Sequence, residues 1–149
     1  MSEHHIRTVW SRGDGPFERS NYSRDHDVHF EGGQVVRNSA AAGVYGGNPD
    51  ASNPEELLLA ALSSCHMLTF FAVAANRGYV IDGYEDAAIA YLDKNADGKM
   101  AVVRAVLAPR VVFGGDKQPS AENYAKMQER AHAGCFIANS VKTTVELRL

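Results

Sequence analysis

The first fifty residues alternate polar and apolar in short runs, His5-Ile6-Arg7-Thr8-Val9-Trp10, Asp27-Val28-His29-Phe30 and Gln34-Val35-Val36-Arg37. Gly13-Asp14-Gly15-Pro16 and Glu31-Gly32-Gly33 separate them. Alternation with period two sends successive side chains to opposite faces, and the glycine-rich breaks favour turns, so this region predicts a small antiparallel β-meander. Tyr45-Gly46-Gly47-Asn48-Pro49-Asp50 reads as a loop. The pattern then changes at Asn53-Pro54-Glu55-Glu56. Asn53 is placed as an N-cap, Pro54 at the first helical position, and the two acids stand where the helix dipole favours negative charge. Glu56, three residues beyond Asn53, completes a capping box. From Leu57 to Ala75 almost every residue is apolar or small, with no polar stripe, and Asn76-Arg77-Gly78 supplies a left-handed C-cap. A helix apolar all round is predicted to be buried all round. Ser63, Ser64 and His66 inside it favour a surround of protein over a bilayer.

Two long strand-like runs follow, Tyr79–Asp93 and Met100–Phe113, joined by Lys94-Asn95-Ala96-Asp97-Gly98-Lys99, whose Asp-Gly step is a hairpin-turn signal. Their imperfect alternation predicts strands partly covered on both faces. Ser120-Ala121-Glu122-Asn123 opens a second helix running to Gly134, Cys135–Ser140 forms a third, short helical piece, and Lys142–Leu149 alternates as a closing strand. There is no internal repeat and no low-complexity segment.

Composition narrows the function classes. A chain of 149 residues fits one domain, 1–149, that holds a core without disulfide staples. A net charge of −3 gives no electrostatic reason to bind nucleic acid or an anionic membrane. The polar start Met1-Ser2-Glu3-His4-His5 offers no signal-peptide core, so the expected location is the cytoplasm, where thiols stay reduced and a disulfide that forms is transient and catalytic.

That setting bears on the only two cysteines, Cys65 in Ser63-Ser64-Cys65-His66-Met67-Leu68 and Cys135 in Ala131-His132-Ala133-Gly134-Cys135-Phe136. Seventy residues separate them, so tertiary structure alone decides whether they meet, and no CxxC spacing is present. Spacing leaves two readings open: small buried hydrophobes, or a reactive pair. A zinc site built from Cys65, His66, His132 and Cys135 is disfavoured, because neighbours on a helix point about 100° apart. His132, three residues before Cys135, is expected to pack or hydrogen-bond beside it. His4, His5, His26 and His29 read as surface residues.

Early strands, the Asn53-Pro54-Glu55-Glu56-Leu57-Leu58 helix start with a cysteine inside the apolar helix, a long hairpin, and Ala131-His132-Ala133-Gly134-Cys135 near the end together resemble the OsmC/Ohr family of thiol-dependent peroxide reductases, over nearly the whole chain. The resemblance implies an α+β fold, with antiparallel sheets wrapped around a long buried central helix, in an intertwined homodimer with a site at each end of the interface. It implies that Cys65 is the peroxidatic cysteine, Cys135 the resolving one, Glu55 the acidic site residue and Arg24, in Tyr22-Ser23-Arg24-Asp25-His26, the site arginine, with Arg19 its near competitor. Phe136 departs from the form in which proline follows the second cysteine. No cofactor and no metal are implied. The implied partners are a peroxide, organic or hydrogen peroxide, and a dithiol reductant, a lipoylated protein among the candidates, in defence against oxidative or osmotic stress.

The chemistry suits those residue types. A thiol at its free pKa is mostly protonated at neutral pH, so an attacking cysteine needs help to exist as thiolate. Arg24 would supply positive charge, and Glu55 would aim the guanidinium. Glu55 and Cys65 are ten residues apart on one helix, about 15 Å along its axis. If both serve one site, Glu55 comes from a partner chain. Two other classes remain: a hot-dog thioesterase, which needs neither cysteine, and a noncatalytic ligand-binding protein of the same family, with Phe70, Phe71, Tyr45, Phe136 and Tyr124 lining an apolar pocket.

Overall fold

In a computed structural model that describes residues 1–149 the chain divides into two compact units, Met1–Leu57 and Leu58–Leu149. The first unit holds the predicted meander. β1 (Ile6–Val9), β2 (His26–Phe30) and β3 (Val35–Asn38) pair antiparallel in that order, with Ile6 opposite Phe30 and Val28 opposite Val36. The unit closes on the start of α1 (Pro54–Asn76), where the capping box is complete: the Glu56 amide donates to Asn53 Oδ1 at 2.9 Å, and the Asn53 amide to Glu56 Oε2 at 3.1 Å. At the other end Gly78, at φ +73°, lets the Tyr79 amide reach the Ala74 carbonyl at 3.0 Å, a Schellman stop.

In the second unit, β4 (Val80–Asp86), β5 (Ile89–Lys94), β6 (Met100–Leu107) and β7 (Pro109–Gly114) replace the two long strands expected from the sequence. The hairpin around Asp97-Gly98 forms as predicted, with Gly98 at φ +74° and the Asn95 amide bonded to the Lys99 carbonyl at 2.8 Å. Its arms, however, break into two ladders, β5 with β6 and β4 with β7. Pro109 explains one side of the break, since it brings no N–H to continue the ladder. Asp86 explains the other. Its Oδ1 accepts the Ala108 amide at 2.7 Å, and its Oδ2 accepts the Ser63 hydroxyl at 2.5 Å, which fastens the bend to α1.

The second helix, α2 (Ala121–Gly134), starts at Ser120 as predicted, with the Asn123 amide on the Ser120 hydroxyl at 3.2 Å. The third helical piece is shorter than expected, a single 3₁₀ turn at Ala138–Ser140. The sheets are antiparallel as expected except at one edge, where β8 (Thr144–Leu147) runs parallel to β6.

The core of this unit forms where Phe70 and Ala74 of α1 meet Met127 and Ala131 of α2, with Tyr84, Val111 and Phe113 of β4 and β7 packed against them. Leu62, His66, Phe70 and Ala74 recur every fourth residue, and they are the only positions of α1 that one chain buries. Leu68 stays 60 % exposed. The prediction of all-round burial therefore fails within a single chain, because the chain offers α2 and one sheet face to only one side of the helix. By length and by a mean hydropathy of 1.9 α1 would also suit a bilayer, but the Ser63 hydroxyl bonds Asp86 and His66 Nε2 bonds Gln128, as in a core helix.

Candidate active site

Cys65 lies midway along α1, half-buried, and Cys135 is the C-cap of α2, 1 % exposed, its amide on the His132 carbonyl at 3.2 Å. The two helices approach closely at this point because Gly134 has no side chain; a Cβ there would stand 3.2 Å from Thr69 Cγ2. Both cysteines are free, and they lie close enough for each to shift the ionisation of the other. The fold brings the two cysteines together across the seventy positions that part them in sequence.

The pair is electrically unequal. Burial alone would raise Cys65, but the backbone N–H of Ile137, the Cys135 thiol and the N–H of Phe136 favour its thiolate, and the net direction is below the ordinary thiol value. Thr69 adds least, since its hydroxyl donates to the Cys65 carbonyl at 2.8 Å. Cys135 goes the opposite way: burial, then the neighbouring Cys65, push it above the ordinary value, and the Ala138 amide, 3.4 Å from its sulfur, offsets only part of this. Of the two thiols, Cys65 is the one shifted toward the thiolate and Cys135 the one shifted away from it. The amides that achieve this belong to the turn after Cys135, and backbone donors leave no mark in a sequence.

Arg24 and Glu55 belong to the first unit, Cys65 and Cys135 to the second. Arg24 is half-buried and held in place: Nη1 donates to the Tyr22 carbonyl at 3.0 Å, Nη2 to the Arg19 carbonyl at 3.2 Å, and the guanidinium lies 4.4 Å from the centre of the Tyr22 ring. No carboxylate pairs with it. Its neighbour Asp25 accepts from Asn48 at 2.9 Å, which with the Ser39 hydroxyl holds that carboxyl below its ordinary value. Arg19 is exposed. Glu55 Oε2 is shielded from solvent and meets no donor. His26, expected on the surface, is instead half-buried, with Nδ1 on the Arg24 carbonyl at 2.8 Å and Nε2 near Asn38 at 3.2 Å. His132 meets Cys135 through its carbonyl; its Nδ1 is buried without a partner. No group of three or more His, Cys, Asp or Glu side chains is arranged to hold a metal ion.

The apolar pocket lies elsewhere than expected. Phe70 and Tyr124 belong to the core, Phe136 is 81 % exposed, and Tyr45 lines a polar cavity with Arg19 and Arg24. Trp10, Phe17 and Tyr22, with Arg24 and Pro54, instead line an apolar cavity of about 500 Å³ in the first unit. Aromatic contacts hold its wall, Trp10 to Phe17 at 5.7 Å and Phe17 to Tyr22 at 5.4 Å between ring centres.

The family model for OsmC-like protein matches residues 47–149, well over half of the chain, and the chain belongs to that family. Among solved structures it is similar to an OsmC-like protein of unknown function from Vibrio cholerae, with 42% identity, 99% of each chain covered and a TM-score of 0.94. It is similar in fold to an organic hydroperoxide resistance protein OsmC from Legionella pneumophila, at 15% identity, with 100% of this chain and 96% of that one covered and a TM-score of 0.71. The organic hydroperoxide resistance protein OhrB of Bacillus subtilis aligns at 17% identity over 97% and 98% of the chains, TM-score 0.65. No curated protein matches the sequence.

The inequality of the thiols makes an expectation for the reduced protein. Iodoacetamide at neutral pH should modify Cys65 ahead of Cys135, with a pH midpoint for Cys65 below that of a free cysteine. If Arg24 adds charge beyond the amides, Arg24→Ala should slow the Cys65 reaction while Arg19→Ala leaves it unchanged. Peptide mapping after timed alkylation checks both, and equal rates at the two cysteines would refute the assigned polarity.

Proposed function

We propose that the protein is a cysteine-based peroxide reductase. The observation that carries this reading is the polarised pair: a half-buried thiol shifted toward thiolate, beside a buried thiol shifted the other way. The Cys65 thiolate attacks one oxygen of ROOH, the O–O bond breaks, RO⁻ leaves and takes a proton as the alcohol, and Cys65 becomes a sulfenic acid. The Cys135 thiol then attacks that sulfur, water leaves, and the Cys65–Cys135 disulfide forms. A dithiol returns the pair to thiols by exchange and becomes a disulfide itself. None of these steps calls on a cofactor.

The site is completed by a second copy of the chain. Arg24 has no acidic partner, Glu55 Oε2 has no donor, and α1 leaves Leu68 and its neighbours uncovered. An intertwined homodimer supplies what each chain lacks, bringing Glu55 of one protomer to the site around Cys65 of the other and covering the open face of α1. The apolar cavity beside Arg24 suits the organic part of an alkyl or aryl hydroperoxide. A dithiol reductant, a lipoylated protein among the candidates, and a cytoplasmic setting complete the reading. Turnover of an organic hydroperoxide and of hydrogen peroxide, followed with several dithiol donors, tests it. Sustained consumption of peroxide coupled to oxidation of one donor is expected, and none with any donor would favour the noncatalytic reading.

A further inference from the structure

The two helices that carry the cysteines are joined by a single side-chain hydrogen bond. His66, one residue after Cys65, meets Gln128, which lies about two turns before Cys135, with Nε2 to Oε1 at 2.7 Å. Both side chains are fully buried. The bond continues: Gln128 Nε2 donates to the Tyr124 hydroxyl at 3.0 Å, and that hydroxyl donates to the Pro109 carbonyl of β7 at 3.1 Å.

The carbonyl at the end fixes every direction in this chain. Pro109 O only accepts, so the Tyr124 hydroxyl gives it the one proton it has and accepts from the Gln128 amide. Gln128 Oε1 is then the end that faces His66, and His66 Nε2 carries the ring proton. Burial keeps the imidazole neutral. His66 Nδ1 is consequently a bare acceptor, buried with no donor. An apolar pair at these positions would avoid that cost, so the contact is better explained by direction than by strength. A hydrogen bond depends on direction as well as distance, so it favours one register of two helices more sharply than an apolar contact of similar size.

We propose that Gln128 is a positioning residue for the thiol pair: by accepting the His66 Nε2–H bond it sets the register of α1 against α2, and so the approach of Cys65 to Cys135. This rests on the reading of the pair as redox-active. The protein dithiol gives two electrons and two protons to oxidised dithiothreitol and becomes the disulfide, and the constant of that equilibrium measures how well the sulfurs are held together.

Wild type and Gln128→Leu are equilibrated in dithiothreitol redox buffers, and the disulfide fraction is read by alkylation and mass. Gln128→Leu should lower the constant about tenfold, equivalent to about 30 mV. Gln128→Glu, which keeps an acceptor for His66 Nε2–H, should stay within about threefold of wild type. A merely structural role would lower the melting temperature of the reduced and oxidised forms alike and leave the constant in place. A folded Gln128→Leu within about twofold of wild type overturns the proposal. If that variant does not fold, Tyr124→Phe, which frees the Gln128 amide while keeping the ring, should move the constant in the same direction, and an unchanged value overturns it. A wild type that closes normally while these variants match it refutes the positioning role alone, whereas a wild type that never closes refutes the redox reading beneath it as well.

Discussion

Cys65→Ser should end peroxide consumption, lowering turnover by roughly three orders of magnitude or more, because the hydroxyl that replaces the thiol is scarcely ionised at neutral pH and is a poor nucleophile toward the O–O bond. Cys135→Ser should behave differently. It keeps the attacking sulfur and the Ile137 and Phe136 amides that face it, so one equivalent of peroxide should still be consumed per site. The sulfenic acid then has no resolving thiol, and excess peroxide should carry Cys65 on to sulfinic acid, which appears as two added oxygens on its peptide. Steady-state turnover and mass analysis of the two variants check both statements. Equal behaviour of the two serines would remove the division of labour between a half-exposed, low-pKa thiol and a buried, high-pKa one.

A mixture of two inactive proteins should regain activity. Cys65→Ser lacks the nucleophile, and Glu55→Ala lacks the carboxylate that the partner chain is proposed to contribute. After joint unfolding and refolding, a heterodimer contains one site with both lesions and one with neither. Activity up to about one quarter of wild type is expected if chains pair at random and sites act independently, because half the dimers then carry one good site of two. The ten-residue offset of Glu55 and Cys65 on the unbroken α1 sets about 15 Å between them along the axis, so a single chain has no easy route to the same result. Heterodimers that form without regaining activity would place the site within one chain or take Glu55 out of it.

The parts of this fold that were legible in the sequence are those whose cause is local. Asn53 and Glu56 bond each other's amides across three residues, Gly78 turns the chain into the left-handed region, and Asp97-Gly98 closes a tight hairpin; each needs only its neighbours. The division of the long hairpin was not legible in its alternation, because the bend depends on Asp86 capturing the Ala108 amide from outside its own strand. The parallel placing of β8 beside β6 depends on where α2 delivers the chain. Exposure along α1 is not legible for a related reason: its run of apolar residues has no periodicity that separates the Leu62–His66–Phe70–Ala74 face from the rest.

The site divides in the same way. Cys65 and Cys135 were identifiable as residue types in distinctive company, and the fold brings them together. The groups that polarise them, the amides of Phe136, Ile137 and Ala138, have no side-chain signature. Gly134 was the one hint available, since a glycine directly before a cysteine at a helix end allows a close approach, here to Thr69. His66 stands out in the sequence as a polar residue on an apolar helix, but its partner Gln128 lies on α2, beyond any local pattern.

The most direct measurement is mass analysis of the protein after mild peroxide treatment without reductant. The account predicts a loss of two hydrogens, with the peptides of Cys65 and Cys135 linked to each other within one chain. Two unmodified thiols under those conditions would contradict it.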